Sequence, residues 1–117
     1  MDTASNHQRI DYIEFPGTDI PKTKDFYTNV FGWKFTDYGP DYTSFEDGRI
    51  AGGFTSANKP GAGGILVVIY ASDLAAMEGK VRAAGGSIVK DIFSFPGGRR
   101  FHFTDPSGNE LAVWSDK

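Results

Sequence analysis

Cysteine is absent from this chain of 117 residues. Without a thiol the chain can form no disulfide, thiolate nucleophile or cysteine-based metal site. Long apolar runs are also missing, since no stretch of about 18 apolar residues occurs and no charged segment leads into an apolar one. These absences predict no membrane span and no secretory signal, and we expect a cytoplasmic protein.

Clustered positive charge is the third absence. The 12 Lys and Arg residues are scattered among 15 Asp and Glu, for a net charge of -3. Because phosphate backbones are bound by clustered cations, we expect no nucleic-acid partner. The chain has 39% hydrophobic and 15% aromatic residues, which is enough to bury a core, so a folded domain is expected.

Two stretches of the chain follow the same plan. Asp19 and Asp73 each precede a helical pattern, and a glycine stands thirteen positions later in both, at Gly32 and Gly86. Each pattern follows an apolar run and precedes several short strand-like segments that are separated by Gly and Pro. The duplication predicts an α+β fold of two βαβββ modules with a central cavity between them.

The division into modules follows from composition. We expect a flexible polar tail over residues 1–8 and a single domain over residues 9–117. Within the domain, a first module over 9–56 is joined to a second over 65–117 by a linker over 57–64, which is rich in Gly, Ala and Pro. Asp19 and Asp73 are predicted N-caps, because a carboxylate can accept an unpaired backbone N–H at a helix start.

Several short motifs occur in a recognisable order. They are Glu14-Phe15-Pro16, Asp19, Phe26-Tyr27, Val30-Phe31-Gly32-Trp33, Asp73-Leu74, Gly85-Gly86 and the run from Phe103 to Leu111 (FTDPSGNEL). This set resembles the vicinal oxygen chelate superfamily of glyoxalases, bleomycin-resistance proteins and extradiol dioxygenases, from about Ile10 to Trp114. The resemblance implies an open barrel-like mixed sheet, a ligand on its concave face and a homodimer. It does not specify the function, because this scaffold carries several unrelated activities.

Catalytic members of that superfamily hold one divalent metal with His, Gln or Glu ligands. The resemblance places the corresponding positions at Tyr12, Gly53 to Thr55, Val67 and Ala112. Valine and alanine have no lone pair to donate, and a divalent ion needs several donors. We therefore expect no metal and no other cofactor. Glu14, His102 and Glu110 are the residues from which a metal site could otherwise be rebuilt.

Strand alternation predicts which side chains face the cavity. Two polar residues, Glu14 and His102, are candidate proton-transfer groups. The predicted ligand-binding residues are Tyr12, Tyr42, Phe45, Val67, Ile69, Arg100, Thr104, Ala112 and Trp114. Phe101 and Phe103 are expected to pack against a helix, and Trp33 is expected in the core. Such an apolar, aromatic cavity with a few polar groups is typical of small-molecule sites.

Three hypotheses for function are open. The first is a metal-free, dimeric glyoxalase/bleomycin-resistance-like protein that binds a small aromatic or amphipathic molecule, where sequestration needs affinity but no catalysis. The second is a glyoxalase-type lyase or isomerase, in which Glu14 or His102 transfers a proton while Arg100 and Tyr12 stabilise charge. The third is an accessory module with a vestigial cavity. A hydrogen-bonded wall residue is the preferred interpretation of His102, and Trp114 is either a stacking surface or a dimer contact.

Overall fold

A computed structural model describes residues 7–8, 10–57 and 65–117. The first module contains β1 (Tyr12–Pro16), α1 (Ile20–Phe31), β2 (Lys34–Asp37), β3 (Tyr42–Glu46) and β4 (Ala51–Thr55). The second contains β5 (Val67–Tyr70), α2 (Leu74–Ala83), β6 (Ser87–Phe95), β7 (Gly98–Thr104) and β8 (Glu110–Ser115). The tail predicted over 1–8 and the linker predicted over 57–64 lie mostly outside the described residues.

Both helices begin at the predicted aspartates. The Asp19 carboxylate accepts from the Lys22 backbone N–H at 3.1 Å, and Asp73 accepts from the Ala76 N–H at the same distance. Gly32 ends α1 with a φ of +74°, a left-handed conformation that glycine adopts without steric cost. Neither described helix is long and apolar enough to cross a membrane.

The strands form two four-stranded mixed sheets with matching order. The first sheet runs β1-β4-β3-β2 and the second runs β5-β8-β7-β6. In each sheet the first strand is parallel to the last strand of its module, and the other pairs are antiparallel. The predicted α+β fold of two βαβββ modules is confirmed. Within the described residues β1 and β5 are edge strands, so each has one unpaired side.

Stacked aromatic rings fill the core of the first module. The Tyr27 ring stacks on Trp33 with centroids 4.5 Å apart, and Trp33 stacks on Phe45 at 4.4 Å. Trp33 is 8% exposed, so its predicted core position is confirmed. Gly52 in β4 makes room for this stack, because a Cβ there would collide with the Phe45 ring and with the Ile13 carbonyl oxygen. The glycine is therefore a packing requirement of the sheet.

Helix α1 joins the two modules through apolar contacts. Its Phe26 and Phe31 rings lie 5.9 and 6.1 Å from the Phe103 ring of β7. Phe101 and Phe103 are fully buried, as predicted for side chains that pack against a helix. Rings from both modules thus form one continuous core.

The turn between β7 and β8, residues 105–109, adds polar contacts between the modules. The Tyr27 hydroxyl donates to the Asp105 carboxylate at 2.9 Å, and the Asn109 side-chain amide donates to the Pro16 carbonyl oxygen at 2.7 Å. The Ser107 hydroxyl accepts from the Thr18 backbone N–H at 3.2 Å. Burial raises the pKa of Asp105, and burial together with the Asp105 charge raises the pKa of Tyr27.

Candidate functional site

A cavity of about 730 Å³ lies between the edge strands β1 and β5. The first module contributes the aromatic residues Phe15, Trp33 and Phe45, and the second contributes Tyr70 and Trp114. It exists because β1 and β5 flank the junction of the modules without pairing to each other. Its size and aromatic lining fall in the range of small-molecule sites.

The predicted site residues do not all meet in this cavity. Phe45, Val67, Ile69 and Trp114 line it. The predicted residues absent from the lining, within the part of the chain that the structure describes, are Tyr12, Glu14, Tyr42, Arg100, His102, Thr104 and Ala112. The single ligand-facing surface expected from the sequence is therefore divided into a cavity and two outward sheet faces.

Strand β5 accounts for one error in the prediction. Val67 pairs with Leu111 and Ile69 pairs with Val113, and both partners are fully buried in the core. The prediction that Val67 and Ile69 share a face with Ala112 is wrong, because Ala112 lies opposite Val68 in the register. All four residues of β5 are apolar, so their sequence carries no alternation from which the buried face could be assigned.

Two tyrosines and a glutamate form a cluster on the outward face of the first sheet. The Tyr42 hydroxyl donates to the Glu14 carboxylate at 2.9 Å and is hydrogen-bonded to the Tyr12 hydroxyl. Burial, followed by the hydrogen bonds to Tyr12 and Glu14, raises the pKa of Tyr42. The hydroxyls lie over Gly53, where a Cβ would collide with both. We call Tyr12, Glu14 and Tyr42 the tyrosine cluster.

The residues at the family's metal positions do not fit a divalent ion. Two tyrosine hydroxyls cover Gly53, Val67 packs against the core, and Ala112 has no donor atom. Among the described residues, no group of three or more His, Cys, Asp or Glu side chains is placed to hold a metal. The residues at these positions therefore supply no set of ligands for a divalent ion.

The second sheet carries a buried histidine on its outward face. His102 is 4% exposed, and its Nδ1 lies 3.0 Å from a carboxylate oxygen of Glu110. The Glu110 side chain is 23% exposed and is bonded to His102. Strand β7 places Arg100, His102 and Thr104 on the face opposite to Phe101 and Phe103, as predicted.

A row of aromatic rings connects the cavity with His102. Tyr70 meets Trp114 edge-on at 5.2 Å, and Trp114 lies 6.5 Å from Phe95. The Arg100 guanidinium lies 5.4 Å from the Phe93 ring and 5.5 Å from the Phe95 ring, and Phe93 stacks on His102. We call Tyr70, Trp114, Phe95 and Phe93 the aromatic ridge.

Sequence reasoning missed three residues of this ridge. Phe93 and Phe95 alternate in the sequence of β6, a signal that could have identified them as one face of a strand. The third, Tyr70, could have been found only with the correct register of β5. The contact between Glu110 and His102 could not be predicted in the same way, because it depends on the pairing of β7 with β8.

The sequence of residues 9–113 matches the Glyoxalase/Bleomycin resistance protein/Dioxygenase superfamily. The chain belongs to this family, and the resemblance noted in its motifs is confirmed. Two curated relatives are the anthracycline biosynthesis proteins DauV of Streptomyces sp. (strain C5) and DnrV of Streptomyces peucetius. Each is 32% identical over 124 residues, covering 88% of this chain and 45% of the relative. The chain thus spans less than half of their length.

Solved structures agree in fold. A glyoxalase/bleomycin resistance protein/dioxygenase family enzyme from Burkholderia phytofirmans PsJN superimposes with a TM-score of 0.79 at 17% identity, over 92% of this chain and 100% of that one. The fosfomycin resistance protein FosX from Mesorhizobium loti gives 0.76 at 13% identity, over 92% of each chain. Lactoylglutathione lyase from Agrobacterium tumefaciens gives 0.71 at 18% identity, over 92% and 93%. At these identities the similarity shows the fold alone.

Proposed function

We propose that this protein binds a planar aromatic small molecule, without a metal ion, in the cavity between its modules. The observation that carries the proposal is the cavity of about 730 Å³ with aromatic side chains contributed by both modules. Aromatic rings offer large, rigid faces on which a planar ligand can stack. Binding of this kind sequesters a molecule without stabilising a transition state.

The curated relatives suggest a chemical class for the ligand. Both are named anthracycline biosynthesis proteins, and an anthracycline is a planar polycyclic aromatic compound. A polycyclic aromatic molecule is therefore the ligand class that we propose. The net charge of -3 modestly favours a ligand that carries a cation, through long-range electrostatic attraction.

The experiment that tests this proposal is a fluorescence titration with doxorubicin, a fluorescent anthracycline. We expect saturable binding by the wild type. Ile50→Trp, which fills the cavity from its wall, and Trp114→Ala, which removes a ring face, should each weaken binding by about tenfold or more. Tyr38→Ala is the matched control, because Tyr38 is an aromatic residue that is 65% exposed and is not among the lining residues described.

Two results would contradict the proposal. One is the absence of saturable binding for both doxorubicin and an anilinonaphthalene sulfonate dye. The other is binding that Ile50→Trp and Tyr38→Ala change equally. The melting temperature of each variant is measured in parallel, so that a loss of folding is not read as a loss of binding.

A homodimer in the cytoplasm is the assembly that we propose. The exposed large apolar residues include a group beside the two edge strands, of which Ile10, Val68 and Tyr70 also border the cavity: Ile10, Tyr12, Ile65, Val68 and Tyr70. An unpaired strand edge flanked by apolar side chains is suited to contact with another chain, and a second copy offers the same surface. Val68→Lys should therefore produce a monomer by light scattering, while Val89→Lys, which changes a residue of similar exposure on β6, should not. A monomeric wild type would overturn the proposal.

A glyoxalase-type lyase or isomerase is the second candidate, and the hydrogen bond between His102 and Glu110 is what favours it. Glu14 lies on the other sheet and accepts from Tyr42, so the two predicted proton-transfer groups would act separately. The test is an assay for the formation of lactoylglutathione. Activity that His102→Asn abolishes, with doxorubicin binding unchanged, would favour this candidate over simple sequestration.

A further inference from the structure

The two ring nitrogens of His102 have different environments. Nδ1 bonds the Glu110 carboxylate, and because an ionised carboxylate can only accept, Nδ1 carries the proton. Nε2 is buried and has no hydrogen-bond partner among the described residues. In the neutral ring, Nε2 therefore presents a lone pair whose direction is fixed by the bond to Glu110. A buried acceptor without a partner is unfavourable, and a ligand that donates a hydrogen bond would satisfy it.

The strand β6, which pairs with β7 beside His102, is irregular at this point. Lys90 of β6 lies opposite His102, and the pairing of β6 with β7 shifts in register on both sides of Lys90. Bulges of this kind are common at sheet edges and next to functional sites, where they redirect a side chain. β6 is an edge strand, and its Phe93 stacks on the His102 ring at 5.8 Å. Phe93 can therefore move aside with less disruption than a residue of a central strand.

The neighbour of His102 on the β8 side has a small side chain. Ala112 of β8 pairs with His102, and its methyl group is the smallest side chain that an L-residue can place there. Arg100 lies on the same face, two residues before His102 and thus about 6.6 Å away along the strand. Its Nε is also buried without a hydrogen-bond partner in the described chain. The Arg100 guanidinium and the His102 ring both lie against the Phe93 ring, so a permanent cation shares this face of the sheet with the free lone pair.

We propose that His102 and Glu110 form a subsite for the phenolic hydroxyl of the aromatic ligand, with the ligand ring against the aromatic ridge. This inference rests on the proposed function and specifies its ligand class as a hydroxylated aromatic. The phenol O–H donates to Nε2. When the phenol is acidic, the O–H bond breaks and an Nε2–H bond forms. The negative charge then remains on the ligand oxygen near Arg100, and the Glu110 carboxylate stabilises the imidazolium.

The test uses para-nitrophenol, whose anion absorbs at a longer wavelength than its neutral form, and para-nitroanisole, which lacks the hydroxyl proton. In a mildly acidic buffer where free para-nitrophenol is mostly neutral, binding to the wild type should increase the phenolate band. Para-nitroanisole should bind about tenfold more weakly than the phenol. His102→Asn should remove both the phenolate band and the preference for the phenol, while para-nitroanisole binding stays unchanged.

Glu110 is tested as a positioning residue. Glu110→Gln should reduce the phenolate band of the bound phenol while leaving para-nitroanisole affinity unchanged, because a neutral amide stabilises the imidazolium less than a carboxylate does. The matched control is Glu46→Gln, an exposed carboxylate on the other sheet, which should change neither quantity. A purely structural role for Glu110 would alter the two ligands alike.

Doxorubicin binding measured in parallel separates this inference from the proposed function. If doxorubicin binds but para-nitrophenol does not, or binds no better than para-nitroanisole, the phenol subsite is wrong and the cavity proposal stands. Retention of the phenolate band in His102→Asn would also overturn the subsite. If doxorubicin fails to bind while the phenol shows the His102-dependent band, the cavity proposal fails and the subsite remains.

Discussion

The two modules share one topology but place their polar groups in opposite environments. In the first module, the tyrosine cluster is exposed on the outward face of the sheet, and its groups satisfy one another through hydrogen bonds. In the second, His102 and Arg100 lie on the equivalent face among aromatic rings, and each keeps an unpartnered buried nitrogen within the described chain. The comparison indicates that the shared topology depends on the core-facing residues, whereas the outward faces of the two sheets differ in their polar groups.

The two modules also differ in the side chains of a central strand, β4 in the first sheet and β8 in the second. β4 places Gly52 and Gly53 between β1 and β3, so that the Phe45 ring and the tyrosine hydroxyls lie directly over its backbone. At the corresponding place β8 carries Leu111 and Ala112, both fully buried. The backbone of β4 is thus covered by side chains from the neighbouring strands, whereas β8 covers the same part of its sheet with its own side chains.

The largest effect is expected when β4 receives a side chain. In Gly52→Ala the new Cβ meets the Ile13 carbonyl oxygen, a backbone atom that cannot move without disturbing the sheet. We expect a loss of about 3 kcal/mol in the free energy of unfolding, measured by urea denaturation. Gly79→Ala in α2 is the matched control: its Cβ meets nothing within 4 Å, and it should stabilise by about 0.5–1 kcal/mol. Equal effects of the two changes would contradict this role for Gly52.

The next largest effect on stability is expected at the 105–109 turn, which contacts the first module. Asp105→Asn should lower the free energy of unfolding by about 2–3 kcal/mol, because the Asp105 carboxylate accepts from Tyr27 and from the amides of Ser107 and Asn109. Burial raises the pKa of Asp105 above its unfolded value, so its titration contributes stability at acidic pH that is lost as pH rises through the folded pKa.

The cost of Asp105→Asn should therefore be larger in acid than at neutral pH. Chemical denaturation of wild type and variant, repeated from neutral pH to below the ordinary aspartate range, measures this difference. A cost that increases towards neutral pH would show that the hydrogen bonds outweigh burial and that the folded pKa is lowered.

A third comparison matches two tyrosine hydroxyls that both donate to a carboxylate at 2.9 Å. Tyr27→Phe leaves the buried Asp105 short of a donor and should cost about 1–3 kcal/mol. Tyr42→Phe removes a hydroxyl from the open tyrosine cluster, where water can replace it, and should cost less than about 1 kcal/mol. Thermal denaturation checks the order, and a larger effect at Tyr42 would contradict the contrast between a buried contact and an exposed cluster.

The smallest effects are expected at the exposed ion pairs. Lys24 bonds Asp37 at 2.8 Å in the first module, whereas Arg82 lies 3.6 Å from Asp91 in the second. Lys24→Ala should lower the melting temperature slightly more than Arg82→Ala. The hydrogen bond from Lys24 lowers the pKa of Asp37. The stability that this ion pair contributes is therefore present above the unfolded pKa of Asp37 and is lost as pH falls through the folded pKa. High salt should reduce both effects, and an effect that salt leaves unchanged would argue against ion pairing.

Much of the fold could be predicted because its signals are local. Asp19 and Asp73 start helices through side chains that bond the backbone three residues away, and Gly32 ends a helix through its own conformation. The site depends on pairing between distant strands, and there the prediction was partial. Trp114 lies in the cavity as a predicted site residue, but Phe45, Val67 and Ile69 reach it from the core-facing sides of the sheets. Whether any of them contacts a ligand stays a prediction.

The 105–109 turn has a consequence for the order in which the chain folds. Its bonds to Tyr27 and Pro16 join residues 78 and 93 positions apart, so they form only after a long segment of chain has been brought together. Contacts between distant residues slow folding, because the entropy of closing the loop is lost before the contact is gained. The second module alone would leave Asp105 without its tyrosine donor and Phe103 without the rings of α1. Docking of this turn onto the first module should therefore be a late folding step, and a polypeptide of residues 65–117 should reach its native structure only when the first half is added to it.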